Sequence, residues 1–529
     1  MQKYKVLITT VFIGLAVSLS NAANIIYVDV NSPNDPGTGT SEDPFRRIQA
    51  GIDASGNGDT VQMQPGVYLG FGNYDLDPSG KAITICSSDP NSPGIIAQTI
   101  IDSNQQGRGF YIHSGEDANC VISGLTIRNS QIATGDNGAG IYCYDSSPTI
   151  RNCVIQNGHA VEGSGGGICF DYGIATVINC TITGNIADYY GGGIECNFSS
   201  PMIIGCTISG NTAILEGGGI DSGASEPNIF NCIIIDNNSL LGGGINCYYP
   251  GVANVVNCTI VANSADNAGG AIHCWAQSSA IIENSIIWAN SLPDGTQLSL
   301  EYEGTASVTY CDVQGGQANV YNPDGLLVWG SGNIDTDPCF ASFDLDGDPN
   351  LWDFHLQSTA GRWDAGIWPD VDLTQNSFVD LLDFTAFAAS WHQQGEEITA
   401  DFDNSGEVDI FDLWIMLDAY LTFQRKGVWV YDIVSSPCLD AGDLNSDWSV
   451  EPWPNGKRIN MGAYGGTTQA SRSGNPADLN VDGKVNFLDL AELGKLWGAN
   501  QEAIEDLDNN GTVDIGDLDI MATNWLWER

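Results

Sequence analysis

Residues 165–173, 191–199, 217–225 and 242–250 read GGGICFDYG, GGGIECNFS, GGGIDSGAS and GGGINCYYP. A triple glycine returns, and isoleucine follows it each time. With the looser GAGIYC and GGAIHC, the isoleucines fall at 141, 168, 194, 220, 245 and 272, in steps of 27, 26, 26, 25 and 27. A second mark follows each one: Cys153, Cys180, Cys206, Cys232 and Cys258, then Ser285. A third is an asparagine: Asn185, Asn211, Asn237, Asn263 and Asn290. A fixed period of this length means stacked structural units. Within each unit, short alternating β-branched runs sit between Gly, Asn, Asp and Ser, which is strand chemistry. With no helical segment between strands, the unit fits one coil of a parallel β-helix, built from about three strands. Looser turns near Val61, Ile83, Phe110 and Leu298 bring the count to about ten coils, a rod of roughly 50 Å at ~4.8 Å per coil.

Stacking assigns the side chains. Cys143, Phe170, Cys196, Ser222, Cys247 and Cys274 form one inward column, and Cys153 to Cys258 another. Neighbours in such a column keep their Cβ atoms near the coil spacing, whereas a disulfide needs about 3.8 Å. The fifteen cysteines therefore read mostly as packed free thiols, although exported chains usually oxidise theirs. The asparagines read as a hydrogen-bonded ladder at a turn.

The residue after each inward isoleucine is expected to face solvent: Tyr142, Cys169, Glu195, Asp221, Asn246 and His273. Two positions on, the same face carries Tyr144, Asp171, Asn197, Gly223, Tyr248 and Trp275. Glu195 and Asp221 fall on adjacent coils. Like charges that close raise at least one pKa unless a metal or hydrogen bonds relieve them. Such a pair serves as acid and nucleophile in a retaining glycosidase, or holds Ca²⁺ against an acidic sugar. Glu195, Asp221, Asp171 and His273 are the candidate catalytic residues. Tyr142, Tyr144, Asn197, Asn246, Tyr248 and Trp275 are the candidate substrate strip, since sugars need flat apolar faces beside hydrogen bonds. The bland alternative is a solvated polar strip.

The first residues carry Lys3 and Lys5, an apolar run from Val6 to about Leu19, and small residues at Ser20 and Ala22. This predicts a signal peptide over residues 1–22, cleaved after Ala22 or Ala23, and a secreted, extracellular or cell-surface protein. No later stretch has the ~20 apolar residues of a membrane span. With 65 acidic against 17 basic residues, the net charge of −48 speaks against a nucleic-acid partner. Polyanionic glycans would be repelled as well, unless a metal bridges them.

Two C-terminal stretches, DLNVDGKVNFLD (478–489) and DLDNNGTVDIGD (506–517), place oxygen ligands and a glycine as a Ca²⁺ loop does. The ligand positions are Asp478, Asn480, Asp482, Lys484 (through its carbonyl), Asn486 and Asp489, then Asp506, Asp508, Asn510, Thr512 (carbonyl), Asp514 and Asp517. A third loop, DFDNSGEVDIFD (401–412), offers Asp401, Asp403, Ser405, Glu407 (carbonyl), Asp409 and Asp412. Its partner DLTQNSFVDLLD (372–383) is degraded, with Ser377 in place of the glycine. Calcium is the expected cofactor.

The passage IIYVDVNSPNDPGTGTSEDPFRRIQAGIDASGNGDTVQMQPGVY (25–68) resembles the start of right-handed parallel β-helix proteins of the pectate-lyase-like superfamily. There a PF-x-x-IQ-x-x-ID-A segment caps the coil and GDTV…PGVY makes the first turn. The GGGI units also resemble repeats of polymorphic outer-membrane adhesins. Together the resemblance covers roughly residues 24–365 and implies the fold; such rods host lyases, hydrolases, epimerases and adhesins alike. The tandem calcium loops, each trailed by an aromatic (Trp497, Trp525), resemble a type I dockerin. That resemblance implies docking to a cohesin-like domain or cell-surface scaffold. The family's Ser/Thr contact pairs are here Phe487–Leu488, Ile515–Gly516 and Ile410–Phe411, which departs from the standard pattern. HLQSTAGRWD and SPCLDAG…RINMGAYGGT resemble the two parts of the superfamily's closing segment, which lie close together there.

The expected organisation is a signal peptide (1–22), β-helix (23–368), inserted dockerin-like module (369–425), closing segment (426–473) and C-terminal dockerin (474–529). Between Arg151 and Arg362 there is no Lys or Arg, the residues pectate-lyase relatives use as base. The paired-Asp and GHG pattern of polygalacturonases is absent too. The expected function is carbohydrate-directed, either a polysaccharide lyase or glycoside hydrolase, or a noncatalytic adhesive or structural rod.

Overall fold

The computed structural model describes residues 23–291, 296–345, 352–364, 434–452 and 458–473, with shorter pieces that include 428–430, 477–479, 484–495 and 515–523. The leader 1–22, the loops 372–383 and 401–412 apart from Val408, and Asn480, Asp482, Asp506, Asp508, Asn510, Thr512 and Asp514 lie outside the described residues.

One coil runs through Ile194–Ser199, Met202–Ile204, Thr207–Ser209 and Thr212–Ala213, then through the glycines into Ile220–Gly223. It has four strands, not the expected three. The fourth is only two residues long, too short to show an alternating pattern. Coils stack in parallel into sheets of nine, twelve, ten and six strands, named here by those numbers. In the nine-stranded sheet Ile141, Ile168, Ile194, Ile220, Ile245, Ile272 and Leu298 are in register, as the period requires. The early turns at Val61 and Ile85 stack instead on the twelve-stranded sheet, below Ile122 and Ile150. A short helix, Ile48–Ala54, packs on the first two strands through its buried Ile48, Gly51 and Ile52.

The inward columns hold as expected. Cys143, Cys196, Cys247 and Cys274 are buried, and so are Cys153, Cys180, Cys206, Cys232 and Cys258. All fifteen thiols are free. In the second column each thiol points at a carbonyl of the coil before: Cys206 Sγ donates to Val177 O at 3.7 Å and Cys258 Sγ to Ile229 O at 3.4 Å. The ladder sits at the turn beyond. Asn211 Nδ2 donates to Asn237 Oδ1 and to Ile182 O, both at 2.9 Å. The same pattern runs from Asn185 to Asn290, where Gln297 ends it. A thiol reagent is therefore expected to label almost nothing in the native protein and all fifteen cysteines after denaturation without reductant. Fewer thiols in the denatured chain would contradict the free columns.

A second apolar core lies outside the solenoid. Ile235, Val261 and Ile286 point outward from the ten-stranded sheet and are covered by Phe340, Phe354, Leu356, Cys438 and Met461. Asn231 donates to the carbonyls of Ala463 and Gly465 at 2.9 and 2.8 Å. The two parts of the closing segment meet: the His355 ring stacks on Tyr464 at 3.6 Å, and Ser471 Oγ donates to Leu356 O at 2.6 Å. The Arg362–Asp364 strand pairs antiparallel with Val428–Val430. Near the C-terminus, helices Phe487–Lys495 and Ile515–Thr523 share a small core of Ala477, Leu479, Val485, Leu493, Val513 and Met521.

Candidate functional site

Tyr144 is exposed as the sequence reading expects, but the acids of the nine-stranded sheet, with Cys169, Asn246 and His273, do not face open solvent, contrary to that reading. Relative exposure is 6% for Asp171, 6% for Glu195, 3% for Asp221 and 2% for His273; Cys169 and Asn246 are fully buried. The cause is the triple glycine. Its first member is left-handed at Gly191, Gly217, Gly242 and Gly269 (φ 61–66°), and the turn folds back over the strand it precedes. A Cβ on Gly217 would lie 2.6 Å from Asp221 Cβ, so only glycine permits this approach. The residues just before, Tyr190, Glu216 and Leu241, form a parallel row beside the acids.

Under this cover the strip becomes two hydrogen-bonded groups. In the first, Tyr142 Oη donates to Asp171 Oδ2 at 2.5 Å and Asn197 Nδ2 to Asp171 Oδ1 at 2.9 Å. Both oxygens of Asp171 are engaged, so it holds its neighbours in place. In the second, Asn246 Nδ2 donates to Asp221 Oδ1 at 2.7 Å and to Glu216 Oε2 at 2.8 Å. The Asn246 Oδ1 accepts from His273 Nδ1 at 2.8 Å, which assigns the ring proton to Nδ1. His273 thus acts on the acids through Asn246. Burial pushes its pKa down to about 4 and keeps it neutral. Glu216 had no signal in the sequence; it reaches the site from the segment before the glycines.

Glu195 and Asp221 occupy matched positions on adjacent coils, and both are buried. Two buried carboxyls this close favour a state in which one holds a proton. Burial, then the charge of Asp221, holds Glu195 well above the usual carboxylate range. Burial pushes Asp221 up to about 7; Glu216 adds to this, while hydrogen bonds from Asn246 and Glu195 oppose it. Glu195 is therefore the protonated partner. Its Oε2 is buried without a hydrogen-bond partner, and so, three coils on, is His273 Nε2.

Rings line the edge of the strip. Tyr248 stacks on Trp275 at 4.8 Å, and Tyr302 meets Trp275 edge-on at 5.6 Å. Tyr144 and Phe198 flank Tyr172 at 6.0 and 5.4 Å. Among the described residues no three of His, Cys, Asp and Glu converge as a metal site. A cleft of about 600 Å³ lies on the ten-stranded sheet, but its Arg128 is neutralised by Asp102 at 2.8 Å and no paired acids line it.

Residues 108–287 match the family profile described as a right handed beta helix region. The solenoid is a right-handed β-helix. Solved structures similar to it include pectate lyase Pel9A, at TM-score 0.42 and 13% identity over 84% of this chain and 96% of that one. A rhamnogalacturonan lyase matches at TM-score 0.30 and 16% identity, over 62% of this chain and 94% of that one. A GH136 lacto-N-biosidase from Eubacterium ramulus matches at 0.31 and 13%, over 59% and 68%. Identities this low carry no residue role across to the β-helix described here. No curated protein matches the chain by sequence.

Proposed function

We propose that this β-helix protein is an exported, carbohydrate-directed protein that hydrolyses a glycosidic bond with Glu195 and Asp221. The observation that carries this reading is the buried pair of carboxyls on adjacent coils beside a row of aromatic rings. Protonated Glu195 gives its proton to the glycosidic oxygen as the C–O bond breaks. The Asp221 carboxylate takes up the electron-poor anomeric carbon. Water then adds at that carbon, its proton returning to the Glu195 carboxylate, so the pair is restored. Adjacent coils place carboxyls near the ~5 Å spacing that goes with retention of configuration. Incubation with a panel of neutral and acidic glycans is expected to release new reducing ends from a neutral one. Binding without turnover across the panel establishes instead the noncatalytic glycan-binding rod, a reading favoured by the 3–6% exposure of the acids.

The tandem C-terminal loops are proposed to bind calcium and to tether the protein to a cohesin-like domain or cell-surface scaffold. Their chemistry is supported by Asp489 and Asp517, the twelfth positions of both loops, which are completely buried carboxylates at the starts of their helices. Leucine or methionine four residues later packs inward in each: Leu493 and Met521. EDTA is expected to lower the helical circular dichroism signal and Ca²⁺ to restore it. A spectrum indifferent to both would contradict calcium binding.

A further inference from the structure

Each coil passes through left-handed residues at its turns, and the choice of residue differs by turn. Between the twelve- and ten-stranded sheets the position is Asn152, Asn179, Gly205, Asn231, Asn257 and Asn284, and then Tyr310, whose ring packs against the second apolar core. Asn and Gly reach this conformation easily. Where the chain leaves the nine-stranded sheet, the matched positions are Tyr172, Phe198, Ala224, Tyr249, Ala276 and Tyr302, with φ between 46 and 64°. Bulky residues there are strained, because their Cβ crowds the following carbonyl oxygen. The fold gains no burial in exchange, because Tyr172, Phe198, Tyr249 and Tyr302 are all exposed. Strain held at exposed rings points to a ligand.

The rings form two banks. Tyr144, Tyr172 and Phe198 make one; Tyr248, Tyr249, Trp275 and Tyr302 make the other. Between them lies a single coil that carries Gly223 and Ala224. Gly223 is matched in register with Asn197 before it and Tyr248 after it. A Cβ placed on Gly223 would lie 3.8 Å from Asn197 Oδ1 and 4.0 Å from Asp221 Oδ2. An atom of a ligand in that space would touch the Asp221 carboxylate. The break is thus the one point of the row at which the missing side chain opens onto the acid pair.

We propose that the two banks hold one neutral glycan chain parallel to the solenoid axis, and that the break at Gly223–Ala224 admits the sugar on which Asp221 acts. The second half rests on the hydrolytic reading above; the first does not. A pyranose ring is about as long as one coil step, so successive sugars meet successive rings. The glycan is neutral because Lys and Arg are absent between Arg151 and Arg362 while acids line the row, and a polyanion would be repelled.

Affinity and turnover separate the two halves. Soluble galactomannan, xyloglucan and mixed-linkage β-glucan serve as probes in calorimetry and reducing-end assays. Phe198→Ala and Tyr249→Ala are each expected to weaken binding roughly tenfold. Ile281→Ala, which removes an exposed side chain from the twelve-stranded sheet, should leave it unchanged. Gly223→Asn restores a side chain already present at Asn197. It is expected to keep the affinity of the banks and lower turnover about a hundredfold. Wild-type binding by both aromatic variants, or binding only to polyuronates, overturns the platform. Wild-type turnover by Gly223→Asn overturns the role of the break. Binding that depends on the rings, with no turnover of any bound glycan, overturns the break and the hydrolytic reading together while the platform stands.

Discussion

Asp221→Asn and Glu195→Gln are each expected to lower glycan cleavage by about 10²–10⁴-fold. The two substitutions keep shape and hydrogen bonding but fix the protonation state. Asp221→Asn still accepts from Asn246 through its amide oxygen, yet cannot carry negative charge. Glu195→Gln can still donate a hydrogen bond to Asp221, yet has no acidic proton to give. Activity should rise with pH through about 7, where Asp221 ionises, and fall at higher pH as Glu195 loses its proton. Asp171→Asn should act more weakly, since that carboxylate is occupied by Tyr142 and Asn197. Equal loss in Asp171→Asn, or full activity in either main variant, would remove the pair from the chemistry.

The protein should melt at a higher temperature at pH 5 than at pH 8. Three buried acids have folded-state pKa values raised by desolvation: Asp221 to about 7, Glu451 to about 7 and Asp312 to about 6. A raised pKa means that the folded state binds more protons than the unfolded chain. Stability is then fully present below about pH 4 for these groups and is lost as pH rises through 6 to 7. At about 1.4 kcal/mol per pKa unit, each group contributes on the order of 3 kcal/mol to this loss. Self-repulsion of a chain with net charge −48 works in the same direction. Asp353 and Asp188, whose pKa values are lowered, oppose it only below their usual range. Asp221→Asn should therefore raise the melting temperature at pH 8 and flatten the decline, while it lowers cleavage. Calorimetry at the two pH values decides this; a variant less stable than wild type at pH 8 would mean that the acid pair is not strained.

The periodic part of the fold was legible because stacking demands it. A residue that sits under its own equivalent must suit the same environment, so Ile194, Cys206 and Asn211 announce their columns by recurring. The site was half legible for the opposite reason. Glu195 and Asp221 stand out because they break the column in which their neighbours are Cys169 and Asn246. Their burial was invisible, since it comes from a glycine turn folding back rather than from the strand's own alternation. Glu216 was invisible too: it lies outside the repeat marks, and only the third dimension brings it to Asn246. The fourth strand escaped because in four of its six coils it has only two residues, too few to display a period.

The closing segment has a consequence for how the chain reaches its native state. Ile235, Val261 and Ile286 leave an apolar stripe on the ten-stranded sheet that Cys438 and Met461, synthesised much later, must cover. The N-terminal coils, with Thr181, Thr183, Thr207 and Ser209 at equivalent positions, carry no such debt to the C-terminus. Folding during synthesis can thus advance coil by coil only to about Phe230. Beyond it the chain needs its own far end, so a protein stalled or cut before residue 436 presents a greasy seam to its neighbours. The rod grows like a stack for half its length and shuts like a buckle for the rest.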